Sequence, residues 1–159
     1  MLVTDPTSPD FNSYASADDL AKYAEGRDLD LQEKTEPLLI KAMDYLTGLN
    51  WQGQRTKDDQ PLAWPRSNVV FDGRLYPKDK IPRELVTAQC MLAIEAKEGD
   101  LLASNREAAI KRERIEGAID TTYAIADGES FKPSYPAVDS MLREFTTSTF
   151  EANAIARRA

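Results

Sequence analysis

The sequence predicts a mainly α-helical domain, a small helical bundle carrying a long ordered aromatic loop, a two-stranded β-ribbon and extended N- and C-terminal arms. Three observations lead there. Apolar residues recur at helical spacing in separate stretches that close at Gly26, Gly48 and Gly99. Between the second and third stretches, residues 50–81 show no helical period yet hold Trp51, Trp64, Phe71 and Tyr76. After Gly117, Ile119, Thr121, Tyr123 and Ile125 alternate as a strand does.

Residues 1–15 contain Pro6 and Pro9 and no period, so they are expected as an N-terminal arm preceding a domain over 16–146 and a tail over 147–159. The first helix should begin at Ser16, where Asp19 three residues on resembles a capping box with Asp in place of Glu. Asp18 and Asp19 suit the positive end of the helix dipole. Ala17, Leu20, Ala21 and Ala24 form its apolar face, and Gly26 ends it. A second helix is expected from Thr35, as N-cap, to Leu46, with Pro37 tolerated in the first turn. Leu38, Leu39, Ala42, Met43 and Leu46 make its stripe, and Gly48 is the stop. The third helix should start at Pro82 as first helical residue and run to about Lys97. Nine of the twelve residues from Leu85 to Ala96 are apolar, the pattern of a central helix buried nearly all round. Cys90 lies within it and reads as a small buried hydrophobe.

Residues 104–125 admit two readings. EAAIKRERIEG suits a helix by propensity, whereas the alternation after Gly117 favours a ribbon over about 108–116 and 118–125. A last helix is expected near Pro136, burying Val138, Met141, Leu142 and Phe145. The remaining TTSTFEANAIARRA reads as an extended tail.

Composition narrows the chemistry. The 159 residues are 42% hydrophobic and 30% charged, enough apolar surface for a core. Twenty Lys+Arg against 27 Asp+Glu give a net charge of −7, which argues against a broad cationic footprint for duplex DNA or an anionic membrane. The acid is concentrated: residues 1–35 hold eight acidic and three basic side chains. Residues 50–81, by contrast, hold six basic side chains and four acidic ones. With no histidine and one cysteine, serine–histidine and cysteine–histidine catalysis, imidazole zinc sites and an intrachain disulfide are all excluded. The adjacent pairs Asp18/Asp19 and Asp58/Asp59 diverge on a helix or in a turn and lack calcium-loop spacing. Phosphate-loop, dinucleotide and nucleophile-elbow motifs are missing. The N-terminal MLVTDPTSPD lacks a signal-peptide pattern, and no apolar run approaches a membrane span. We therefore expect a binding or structural protein, not an enzyme, without metal or cofactor.

The strongest local feature is Trp51-Gln52-Gly53-Gln54-Arg55 followed by Gln60-Pro61-Leu62-Ala63-Trp64-Pro65-Arg66. Three readings are open. The indoles could plug the loop onto the helices, with Trp51, Gly53, Arg55, Trp64, Pro65 and Arg66 as structural anchors. They could stack on nucleobases while Arg55 and Arg66 meet phosphates. They could form a protein-contact hot spot. The charged run Arg106–Glu116 reads either as a solvated, salt-bridged face or as an edge that pairs with a neighbouring subunit.

These motifs carry a resemblance. A helix ending in Asp44-Tyr45-Leu46, then Trp51-x-Gly53-x-Arg55, then Gln60-x-Leu62-Ala63-Trp64-Pro65-Arg66, is followed by Ile81-Pro82 opening a helix with Ala88 and Leu92-Ala93. A basic strand closed by Gly117 and a segment ending in Tyr123 complete it. Over about residues 14–146 the pattern resembles the head–tail connector (adaptor, head-completion) proteins of tailed bacteriophages, whose members are often labelled DnaT-like single-stranded-DNA-binding proteins. Glu116, inserted before Gly117, departs from the pattern and bears on the ribbon register. The resemblance implies a virion neck protein assembled in the bacterial cytoplasm. It would form a ring, commonly dodecameric, beneath the portal, with itself, the portal and tail or head-closure proteins as partners. Duplex DNA would pass through a mainly acidic or neutral lumen without specific binding. Lys111, Arg112, Glu113, Arg114, Ile119 and Tyr123 would then lie at the subunit interface, and Phe150, Ile155, Arg157 and Arg158 would anchor the tail in the portal. The alternative is a single-stranded-DNA-binding protein that stacks bases on Trp51 and Trp64.

Overall fold

The computed structural model describes residues 1–31, 34–102 and 134–147. Within them lie four helices and two small antiparallel sheets: α1 (Ala17–Glu25), α2 (Thr35–Thr47), β1 (Gln54–Arg55), β2 (Arg66–Ser67), β3 (Val70–Phe71), β4 (Arg74–Leu75), α3 (Arg83–Glu98) and α4 (Pro136–Leu142). The protein is thus a small helical fold with two hairpins. The ribbon expected over 108–125 and the tail from 148 onward lie outside the described residues, as do all ten side chains named above for the subunit interface and the portal.

The central helix is α3, which packs against α1, α2 and α4. Its buried residues Leu85, Ala88, Gln89, Cys90, Leu92, Ala93 and Ala96 form one broad face, while Val86, Met91 and Ile94 are half-buried, so the helix is less completely enclosed than its apolar run predicts. Facing it, α2 buries Leu38, Leu39, Ala42, Met43 and Leu46. Small residues on α1 leave only Leu20 and Ala24 fully inside, and a complete capping box sets its start. Ser16 Oγ accepts from the Asp19 N–H (3.1 Å), and Asp19 accepts from the Ser16 N–H (2.8 Å).

Two helix starts differ from expectation. Lys34 occupies the N-cap of α2 without a side-chain bond, so Thr35 is the first helical residue rather than the cap. Pro82 is the extended N-cap of α3 (ψ 140°), one position before the site its fixed φ would also allow.

Residues 1–15, expected as an arm, close against the helices. The Asn12 and Ser13 N–H groups both donate to the Val3 carbonyl, and Phe11, Tyr14 and Ala15 are buried in the core. Burial of two aromatic rings outweighs the lack of regular structure that marked the segment as loose.

The expected loop over 50–81 is instead two hairpins. β1 pairs with β2 (Gln54 opposite Ser67, Arg55 opposite Arg66), and β3 pairs with β4 (Val70 opposite Leu75, Phe71 opposite Arg74). Asp72 (φ 48°) and Gly73 (φ 71°) make the two-residue turn, both left-handed, as the twist of such hairpins demands. The segment 145–147 runs back beside 50–52, with the Gln52 N–H on the Phe145 carbonyl and the Thr147 N–H on the Asn50 carbonyl.

Candidate functional site

The hairpin module is held by an aromatic cluster. Trp64 is fully buried and meets Trp51, Tyr76 and Phe145 edge to face, at centroid distances of 6.0, 6.1 and 5.6 Å. Phe71 stacks on Phe145 at 4.5 Å with the planes 10° apart. Phe145 lies beyond the last residue of α4, where the chain leaves the helix. The Trp64 N–H donates to the Tyr14 hydroxyl (3.2 Å), tying the cluster to the N-terminal segment. Both indole N–H groups are buried without an acceptor among the described residues, so ring packing has to cover that cost.

Gly53 makes the close approach of β1 to β2 possible. Its φ is +68°, and a Cβ there would stand 2.1 Å from the Ser67 carbonyl oxygen. Arg66 then wraps the turn from inside: Nε donates to Gln52 O (2.7 Å), Nη2 to Gly53 O (2.7 Å) and Nη1 to Ala63 O (3.2 Å). Burial holds the Arg66 guanidinium below its ordinary range, and the charge of Arg55 across the ladder adds to this. The Trp64–Pro65 peptide bond is cis. Gln60 supports the same turn, donating to the carbonyls of Leu62 and Pro65 and accepting from the Lys57 N–H.

This geometry corrects one proposed role. Trp51 and Trp64 are 9% and 0% exposed, so neither presents a ring face for a base to stack on. The guanidinium of Arg66 is committed to three backbone carbonyls, which removes it from contact with phosphate. Arg55 differs: it is exposed and spends one Nη1 bond on Gln60 O (3.1 Å).

Around Arg55 lies a bank of cations that sequence reading noticed only as local basicity. The Thr56 hydroxyl shares its one proton between the Lys78 carbonyl (2.9 Å) and that of Pro65 (3.0 Å), bringing Arg55-Thr56-Lys57 beside Lys78-Asp79-Lys80. Arg55, Lys57, Lys78 and Lys80 are exposed, and among the described residues none of them forms an ion pair. Asp58, Asp59 and Asp79 stand in the same segments, are likewise exposed and form no ion pair among the described residues, so the local charge is positive but modest.

Elsewhere the described surface offers little chemistry. No group of His, Cys, Asp or Glu residues able to hold a metal ion occurs among the described residues. A cavity of about 370 Å³ between α1 and α3 is lined by Asp19, Tyr23, Arg83, Val86, Thr87 and Cys90. Asp19 is used in the α1 cap, and Arg27 already covers the Tyr23 ring at 3.7 Å. Burial pushes the Cys90 thiol up to about 12, away from reactive thiolate chemistry.

The described residues thus combine a helical core, an aromatic-anchored double hairpin and a cationic rim that forms no ion pair among them. Over residues 1–159 the chain matches the family described as "Putative DnaT-like ssDNA binding protein", and it belongs to that family. No curated protein and no solved structure matches it. This match overturns the phage head–tail adaptor reading, together with its portal, tail and ring partners, its passage of unbound duplex DNA and its virion role, because the family found across the whole chain is the DnaT-like one.

Proposed function

We propose that this protein binds single-stranded DNA, acting as a binding protein without a catalytic step. Membership of the DnaT-like family over the full length carries the reading. The cation bank of Arg55, Lys57, Lys78 and Lys80 supports a location for the phosphate backbone, since these charges are exposed and uncommitted to ion pairs among the described residues. The chain's acidic excess sits largely in residues 1–35, a different part of the sequence. A flexible single strand can follow a short, narrow bank of charge that would serve a stiff duplex poorly. Because the indoles are enclosed, binding proceeds through charge and other surface contacts, not through Trp51 and Trp64.

Anisotropy titration of a labelled oligothymidylate at low and moderate salt tests this. Neutralising two to four phosphates gives a log–log salt slope of about −1.4 to −2.8, and Lys57→Ala with Lys78→Ala should lower its magnitude by about 1.4. Tryptophan fluorescence should stay constant through the titration. Lack of binding at about 50 μM protein in low salt, where nonspecific electrostatic binding is strongest, would overturn the reading.

A further inference from the structure

Resting on that reading, we propose that the outer face of the β3–β4 hairpin, Val70 and Leu75, is the surface on which the bases of the bound strand lie. Val70 and Leu75 are direct cross-strand partners, so their side chains share one face, and they are 46% and 73% exposed. Phe71 and Arg74 occupy the opposite face, where Phe71 is stacked on Phe145. The hairpin is therefore fastened from behind. The Tyr76 N–H donates to the Val69 carbonyl (2.8 Å), the Asp72 N–H to Glu144 Oε2 (2.9 Å), and the Val70 N–H to Gln52 Oε1. Ordinary packing would turn such a rigid pair of aliphatic side chains inward, yet among the described residues nothing covers it.

Charge complementarity names the occupant. Lys78 and Lys80 follow Leu75 by three and five residues, in the turn that leaves β4, and Thr56 brings Arg55 and Lys57 to them. An apolar step beside a cationic rim matches a polymer with apolar base faces on one side and phosphates on the other. Aliphatic side chains replace the aromatic platforms of other single-strand binders, so each base contact is weaker but equally tolerant of sequence.

The test is the double variant Val70→Thr with Leu75→Thr, which keeps strand propensity while removing the apolar face. Its thermal midpoint should equal the wild-type value. Binding to oligothymidylate should weaken by about three- to tenfold with the salt slope unchanged, while binding to an abasic oligomer of the same phosphate number should be unaffected. Wild-type affinity of the variant for oligothymidylate, alongside weaker binding by Lys78→Ala, would overturn the base surface but leave single-strand binding standing; the apolar pair would then face a protein partner. An equal loss on both oligomers would also overturn it, since the change would act through the backbone contacts. If the wild-type protein binds neither oligomer, the function reading falls first and this surface with it.

Discussion

Gln89 sits fully buried on α3 with its amide completely used. Its Oε1 accepts from the N–H groups of Tyr14 (3.0 Å) and Ala15 (2.8 Å), and its Nε2 donates to Ser13 Oγ (2.8 Å) and the Leu39 carbonyl (3.0 Å). One side chain thus joins the N-terminal segment, α2 and α3. Gln89→Leu would match the volume but strand the two buried N–H groups of Tyr14 and Ala15. It should cost about 3 kcal/mol in urea unfolding; a loss under about 1 kcal/mol would show that the amide is not a keystone. Nothing in the sequence distinguishes Gln89 from a polar interruption of an apolar run, because its partners lie 50 to 76 residues away.

At the level of elements, the two hairpins use glycine differently. Gly53 has a positive φ and no room for a methyl group, whereas Gly73 has a similar φ (+71°) but nothing within 4 Å of the point where a methyl group would stand. Gly73→Ala should therefore cost only the backbone penalty of a left-handed residue, about 1 kcal/mol. Gly53→Ala adds a collision with the Ser67 carbonyl and should cost more than about 3 kcal/mol, read as the difference in thermal midpoints. Equal losses would mean that the β1–β2 approach can relax. The helices were largely legible, since Ser16, Gly26, Gly48 and the stripe of α2 act within a few residues. The β3–β4 turn was legible too, and missed: Asp-Gly between Val70-Phe71 and Arg74-Leu75 is a strong hairpin signal, obscured by strands of two residues each.

For the whole molecule, alkaline pH is the natural probe of the core. Burial raises the Tyr14 hydroxyl from 10.0 to about 12 and the Cys90 thiol from 9.0 to about 12. Both groups stay protonated in the folded chain at pH values where the unfolded chain has released the proton. Unfolding is then favoured as pH rises, so stability should hold below about pH 9 and fall steadily towards pH 12. Urea midpoints at pH 8 and above would follow this, and Tyr14→Phe should flatten the part of the fall that begins near pH 10. A midpoint independent of pH up to about 11 would contradict the burial of both groups.

Local chemistry along the chain set the helices, their stops, the exclusion of histidine-based catalysis and the unusual density of tryptophan between Trp51 and Trp64, because each depends on residue type and short spacing. Three-dimensional packing decided where those tryptophans lie: Tyr14, Phe145 and the Gly53 turn close over them from distant parts of the sequence, and burial leaves neither with an open ring face. The same packing spends Arg66 on carbonyls and leaves Arg55, Lys57, Lys78 and Lys80 at the surface. A residue's type gives its charge, but which neighbours compete for that charge depends on contacts that spacing along the chain does not encode.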